Sequence, residues 1–119
     1  MKKKLLLLVT LLISFTAFSQ VLQLQKPAAG DLWPAYSTQR IVWTSTNINS
    51  IKIESSLDSG RTWSVIVGSY PATATYYDWT VPNKISDSCF IRISDVLNAA
   101  TTSSNYSGSP FKIPPPSIS

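Results

Sequence analysis

An all-β chain folded as an antiparallel two-sheet sandwich is what this sequence predicts, on three observations. Beyond residue 19 no stretch repeats its apolar residues at three-to-four spacing over ten or more positions, so no amphipathic helix is expected. The apolar runs are short, alternate with polar residues and are rich in β-branched and aromatic side chains, which suit a pleated, half-buried surface. Gly, Pro, Asn, Asp and Ser punctuate the runs at regular intervals, and short strands with such punctuation must fold into two layers to cover one another's apolar faces.

About seven strands follow in order. Val21 to Lys26 alternates and stops at Pro27, which suits a first, edge strand because proline donates no ladder hydrogen bond. Pro27 to Asp31 is a turn, and Leu32 and Trp33 are expected to cap one end of the core. In the second strand, Gln39 to Thr44, Ile41 and Trp43 share a face opposite Arg40 and Val42. Ile51 and Ile53 alternate with Lys52 and Glu54, a solvated pair, in the third. Trp63, Val65 and Val67 are expected to align inward in the fourth, before a loop over Gly68 to Thr75. The fifth sets Tyr77, Trp79 and Val81 inward and leaves Tyr76, Asp78 and Thr80 outward. Cys89, Ile91 and Ile93 form the inward face of the sixth, a polar segment runs from Asn98 to Gly108, and Phe111 with Ile113 makes the last strand before Pro114-Pro115-Pro116. Seven strands in about 100 residues point to the immunoglobulin and fibronectin type of sandwich.

Between the third and fourth strands lies Ser56-Leu57-Asp58-Ser59-Gly60-Arg61-Thr62-Trp63. It reads as a β-hairpin turn in which Asp58 bonds the backbone ahead of it, Gly60 takes a positive φ and Trp63 drops back into the core.

Residues 1–19 read as a secretory signal. Lys2, Lys3 and Lys4 supply the positive start, Leu5 to Phe18 the apolar run and Ala17-Phe18-Ser19 the small-x-small cleavage site. That run is short of the roughly 20 residues a membrane span needs, so the domain is expected over 20–113, with no membrane insertion after the signal is removed, and 114–119 as a proline-rich tail or the start of a linker. The expected localisation is secreted, extracellular or cell-surface, with periplasmic transit in a bacterium. Without the three lysines, seven Lys and Arg face six Asp and Glu, a net charge of +1. The pI of about 9.4 thus belongs to the precursor and gives no support for nucleic acid as a partner. The single cysteine, Cys89, excludes an intrachain disulfide and reads as a buried structural thiol, with a reactive or intermolecular thiol as the alternative.

Acid–base chemistry has little to work with. Histidine is absent and Glu54 is the sole glutamate. Asp31, Asp58, Asp78, Asp87 and Asp95 each fall at a turn or strand edge, whereas glycoside hydrolysis needs two carboxyl groups facing across a cleft. The serines have no histidine to activate them, and the carboxylates are not grouped as a metal site requires. No enzyme, metal or cofactor is therefore expected. Aromatic residues are the remaining resource. Trp33, Tyr36, Tyr70 and Tyr76 lie in or beside loops, where flat rings can stack on sugars or anchor a protein partner. Tyr76 leads these candidates because its parity is outward.

Two resemblances rest on these residues. Ser56, Asp58, Gly60, Thr62 and Trp63 match the spacing of the Asp box of sialidases and related propellers, a hairpin-folding motif that carries no catalysis; one copy makes no propeller. Pro27-Ala28-Ala29-Gly30-Asp31-Leu32-Trp33, Ile41-Val42-Trp43-Thr44-Ser45, Ile51-Lys52-Ile53-Glu54, the Asp58 to Trp63 box, Trp79-Thr80-Val81-Pro82 and Cys89-Phe90-Ile91-Arg92-Ile93-Ser94-Asp95 occur in that order. This series resembles the Ser-Thr-rich, GPI-anchored or yeast cell-wall β-glucan-synthesis type of N-terminal domain, which also occurs in secreted proteins of Bacteroidetes. The resemblance implies a non-catalytic extracellular β-sandwich associated with cell walls or surfaces. The functional expectation is a module for interaction, cell-wall association or spacing. Its partners would be cell-wall polysaccharide or other surface proteins. A carbohydrate-binding module is the alternative, and a small glycan-active enzyme the reading with least support.

Overall fold

The computed structural model describes residues 19–104 and 109–116. The expected signal segment up to Phe18, part of the polar loop before the last strand and the final three residues lie outside them. Eight strands form: β1 (Val21–Lys26), β2 (Thr38–Thr46), β3 (Ser50–Ser56), β4 (Ser64–Pro71), β5 (Tyr76–Thr80), β6 (Ser86–Asp95), β7 (Thr102–Ser104) and β8 (Phe111–Ile113), with one 3-10 turn at Ala72–Ala74. All pair antiparallel in two sheets. A three-stranded sheet runs β1-β2-β5, and a five-stranded sheet runs β4-β3-β6-β7, with β8 also on β6. The expected sandwich is thus present.

Each layer offers alternate side chains to the space between them. Ile41 and Trp43 from β2, Ile51 and Ile53 from β3, Cys89, Ile91 and Ile93 from β6, and Phe111 and Ile113 from β8 are fully buried. Trp43, the largest of the fully buried side chains among the described residues, donates its indole N–H to the Ala72 carbonyl at 2.9 Å, so the ring is buried without leaving its one donor unsatisfied.

Several expectations need correction: the loop placed over Gly68 to Thr75 is strand as far as Pro71, Leu32 is 62 % exposed and caps no core, and four further points concern Trp33, Trp63, Glu54 and Thr102–Ser104. Trp33 caps the core, as the apolar pair with Leu32 suggested, and is therefore not a loop aromatic available to a ligand: it is 5 % exposed and packs on Phe111 at 5.1 Å and Trp79 at 6.2 Å between ring centroids. A pairing between distant segments holds it there. The segment before it runs alongside β8, with Lys112 N bonded to the Asp31 carbonyl and Trp33 N to the Lys112 carbonyl, and this docking sets Trp33 against Phe111.

Trp63 is not a core residue. β4 carries an extra residue opposite Ile51 to Ile53 and another opposite Ile53 to Glu54, and each bulge breaks the alternation. Val67 and Ile66 end up against the core while Val65 is 57 % exposed. Trp63 lies half-buried on the outer face, under the Arg92 guanidinium at 4.0 Å.

Glu54 faces outward as expected yet is buried, not solvated. Arg92 donates to its Oε1 from Nε and Nη2, both at 3.0 Å, and Lys52 lies 3.8 Å from Oε2. The additional strand, β7 at Thr102–Ser104, falls in the segment read as polar loop. It pairs with Arg92 to Ser94 of β6 and carries no apolar alternation to announce itself.

Candidate binding surface

The Ser56 to Trp63 segment is the β3–β4 hairpin connection, and its bonding accounts for each polar residue. Ser56 Oγ accepts the Gly60 N–H at 2.8 Å and donates to Asp58 Oδ1 at 2.8 Å. Asp58 takes the Thr62 N–H on Oδ1 at 2.9 Å and the Thr62 hydroxyl on Oδ2 at 2.6 Å. Gly60 has φ +85°, as the turn requires, and Ser59 shares the left-handed region at +63°. Trp63 Nε1 closes back on the Gly60 carbonyl at 3.1 Å. The Thr62 hydroxyl and amide, then the Ser56 hydroxyl, hold the Asp58 carboxyl down at about 2. A depression of about 400 Å³ opens beside this turn, lined in part by Asp58, Thr62, Ser64 and Lys84. Its carboxylate is already bonded on both oxygens, so it offers neither a general base nor a free ligand atom.

Four of the other five carboxylates are similarly engaged. Asp31 Oδ2 accepts the Ala28 N–H at 2.9 Å. Asp78 receives Arg40 in a forked pair, Nε to Oδ1 at 2.9 Å and Nη2 to Oδ2 at 3.3 Å, and this bonding raises the guanidinium above its ordinary range. Asp95 is buried and holds the Leu97 N–H. Glu54 has its two cations, and Asp87 stands exposed on β6. Among the described residues no three His, Cys, Asp or Glu side chains gather as a metal site would need. Cys89 is buried, its Sγ 3.6 Å from the Ser86 carbonyl, and burial pushes its thiol up.

The four aromatic candidates separate by environment. Besides Trp33, now in the core, Tyr70 is half-buried in an edge-to-face cluster, 6.2 Å from Trp43 and 5.0 Å from Tyr77. Tyr36 and Tyr76 remain exposed, at 64 % and 40 %. Tyr36 has φ +69°, unusual for a bulky side chain. The turn is held by Tyr36 N to the Val81 carbonyl and Val81 N to the Ser37 carbonyl, both 2.9 Å, with Ser37 Oγ on the Pro34 carbonyl at 2.6 Å. The backbone on both sides thus fixes where this exposed ring leaves the fold.

Tyr76 opens β5 and pairs with Val42 of β2, while Tyr36 sits in the turn two residues before β2 begins. Between them, Thr38 faces Thr80 and Arg40 faces Asp78, all exposed. The Arg40 guanidinium lies 3.9 Å from the Tyr76 ring centroid, so one face of that ring is covered by a cation and the strip is charge-balanced. The outward parity of Tyr76 was legible in its alternation. Its Arg40 and Asp78 neighbours were not, since only the β2–β5 register brings them together.

These features define a small antiparallel two-sheet β-sandwich. Comparisons with protein-family models, curated proteins and solved structures find no match to the chain. No helix among the described residues is long and apolar enough to cross a membrane.

Proposed function

We propose that this chain is a non-catalytic, secreted or cell-surface β-sandwich module acting in interaction, cell-wall association or spacing. One observation carries the reading. Five of the six carboxylates are committed to turns or ion pairs, while Tyr76 beside a charge-balanced Arg40–Asp78 pair is exposed on the three-stranded sheet and Tyr36 is exposed in the turn before β2. Such a surface has contact groups and few reactive ones. The ordered resemblance to cell-wall-associated N-terminal domains supports the same compartment and class.

The carbohydrate-binding version is favoured by that strip. Threonine hydroxyls and a matched Arg40–Asp78 pair provide donors and acceptors for hydroxyl groups without net charge, Tyr76 supplies a flat ring on the strip, and Tyr36 offers a second in the turn before β2. A neutral, extended polysaccharide suits it best. The test is retention of the chain on a glycan array and on insoluble cell-wall material. Tyr36→Ala and Tyr76→Ala, with unchanged melting temperatures, are each expected to weaken retention about tenfold, a loss of ~1.4 kcal/mol. Retention unaffected by both variants would remove the strip as the binding face, and absent retention would leave the spacer reading. Hydrolysis of any glycan, lost on Asp58→Asn or Asp78→Asn, would overturn the non-catalytic assignment.

A further inference from the structure

Gln20, immediately before β1, is bonded more heavily than an exposed residue at the edge of a domain requires. Its Nε2 donates to Asp95 Oδ2 at 2.9 Å and to the Asn47 carbonyl at 3.2 Å. Its Oε1 accepts the Thr101 hydroxyl at 3.1 Å and Asn98 Nδ2 at 3.3 Å. Both donors and both acceptor positions of the carboxamide are therefore used.

The receiving site is organised by the β6–β7 loop itself. Asp95 is 4 % exposed, and its second oxygen holds the Leu97 N–H at 3.0 Å. Asn98 Oδ1 accepts the Ala100 N–H at 3.3 Å, and the Thr101 N–H bonds the Asn98 carbonyl at 2.9 Å. A few residues on, Leu24 N bonds Ser103 Oγ at 3.0 Å, so the same edge of the sandwich is tied twice.

Cleavage after Ser19, where the sequence places it, makes Gln20 the first residue. An N-terminal glutamine has a characteristic side reaction. Its α-amine attacks its own Cδ, the N–Cδ bond forms, the Cδ–Nε2 bond breaks, and the nitrogen leaves as ammonia after taking up the proton that the amine loses. The product is a five-membered lactam, pyroglutamate, and no oxidant or reductant is involved. The reaction needs the carboxamide folded back over its own amine. Here the carboxamide reaches away from the chain start to partners 27 to 81 residues distant.

We propose that Gln20 is a terminal latch: its carboxamide fastens the start of β1 to the β6–β7 loop and, while fastened, is withheld from cyclisation. Ring closure would consume Nε2 and with it the bonds to Asp95 and Asn47, so the modification and the latch exclude each other. The proposal stands apart from the polysaccharide reading and rests on the cleavage position.

The test uses the chain released with Gln20 as its first residue, which carries every strand of the fold, and follows loss of ammonia by intact mass over days at neutral pH. If cyclisation proceeds only from the unlatched state, its rate scales with the fraction of time the latch is open, and the native chain is expected to react at least about tenfold more slowly than the same chain in urea. Asn98→Ala combined with Thr101→Val removes both donors to Oε1 at a solvent-facing loop. Checked for an unchanged melting profile, this variant is expected to react at least about threefold faster than the native chain. Equal rates for native and urea-unfolded chains would overturn the latch, as would a folded variant that cyclises no faster than the parent.

Discussion

Replacing Trp43 and Trp63 separately by alanine tests where the sandwich puts its aromatic mass. Trp43 is fully buried, in edge contact with Tyr70 and bonded through its indole N–H to the Ala72 carbonyl. Removing a buried tryptophan typically costs about 3–5 kcal/mol from lost burial and the cavity left behind. The Ala72 carbonyl keeps the Thr75 N–H at 3.3 Å, so little is added for an orphaned acceptor, and about 4 kcal/mol is expected. Trp63 differs in kind. Its loss removes a cation–π contact with Arg92, worth about 0.5–1 kcal/mol at a partly exposed site, and a hydrogen bond to the Gly60 carbonyl worth about 1 kcal/mol net. About 1–2 kcal/mol is expected. Against a total of 5–15 kcal/mol for a domain, the first change is severe and the second moderate. In thermal unfolding followed by circular dichroism, at about 4–8 °C per kcal/mol for a chain of this size, Trp43→Ala should lower Tm by roughly 16 °C or more and Trp63→Ala by roughly 4–16 °C. A Trp63→Ala loss equal to or greater than that of Trp43→Ala would refute the placement of Trp63 outside the core.

Three further outcomes follow from the geometry. Asp58 is held at about 2, below its unfolded value near 4. Its contribution to stability is therefore complete above about pH 4 and lost as pH falls toward 2, and the Tm gap between the parent chain and Asp58→Asn should close over that interval; a gap constant from pH 6 to 2 would contradict the hairpin bonding. Glu54→Ala strands Arg92 on a covered face but leaves a third of its side chain in solvent, so the cost in denaturant unfolding should be about 1–2 kcal/mol, below the 3–5 of a fully buried pair. Cys89, buried and with its thiol pushed up, should resist a thiol reagent at neutral pH in the native chain and react with one equivalent in denaturant, and rapid native labelling would place the sulfur at the surface.

What the sequence by itself determined is what local alternation encodes. The antiparallel sandwich, the positions of β1, β2, β3, β5, β6 and β8, the inward sets on β2 and β6, the turn role of Asp58 and Gly60 and the outward parity of Tyr76 all depend on neighbours two to four residues apart. The tertiary structure decided what depends on partners far along the chain. Bulges opposite Ile51 to Glu54 moved Trp63 out of register with the core. Docking beside β8 set Trp33 against Phe111, pairing with β6 made a strand of Thr102–Ser104, and the β2–β5 register set Arg40 against Asp78. Side-chain alternation reports which face a residue takes only while its strand stays regular, and it carries no record of which strand lies alongside. For this chain the second kind of information separates the aromatics that build the fold from those left exposed.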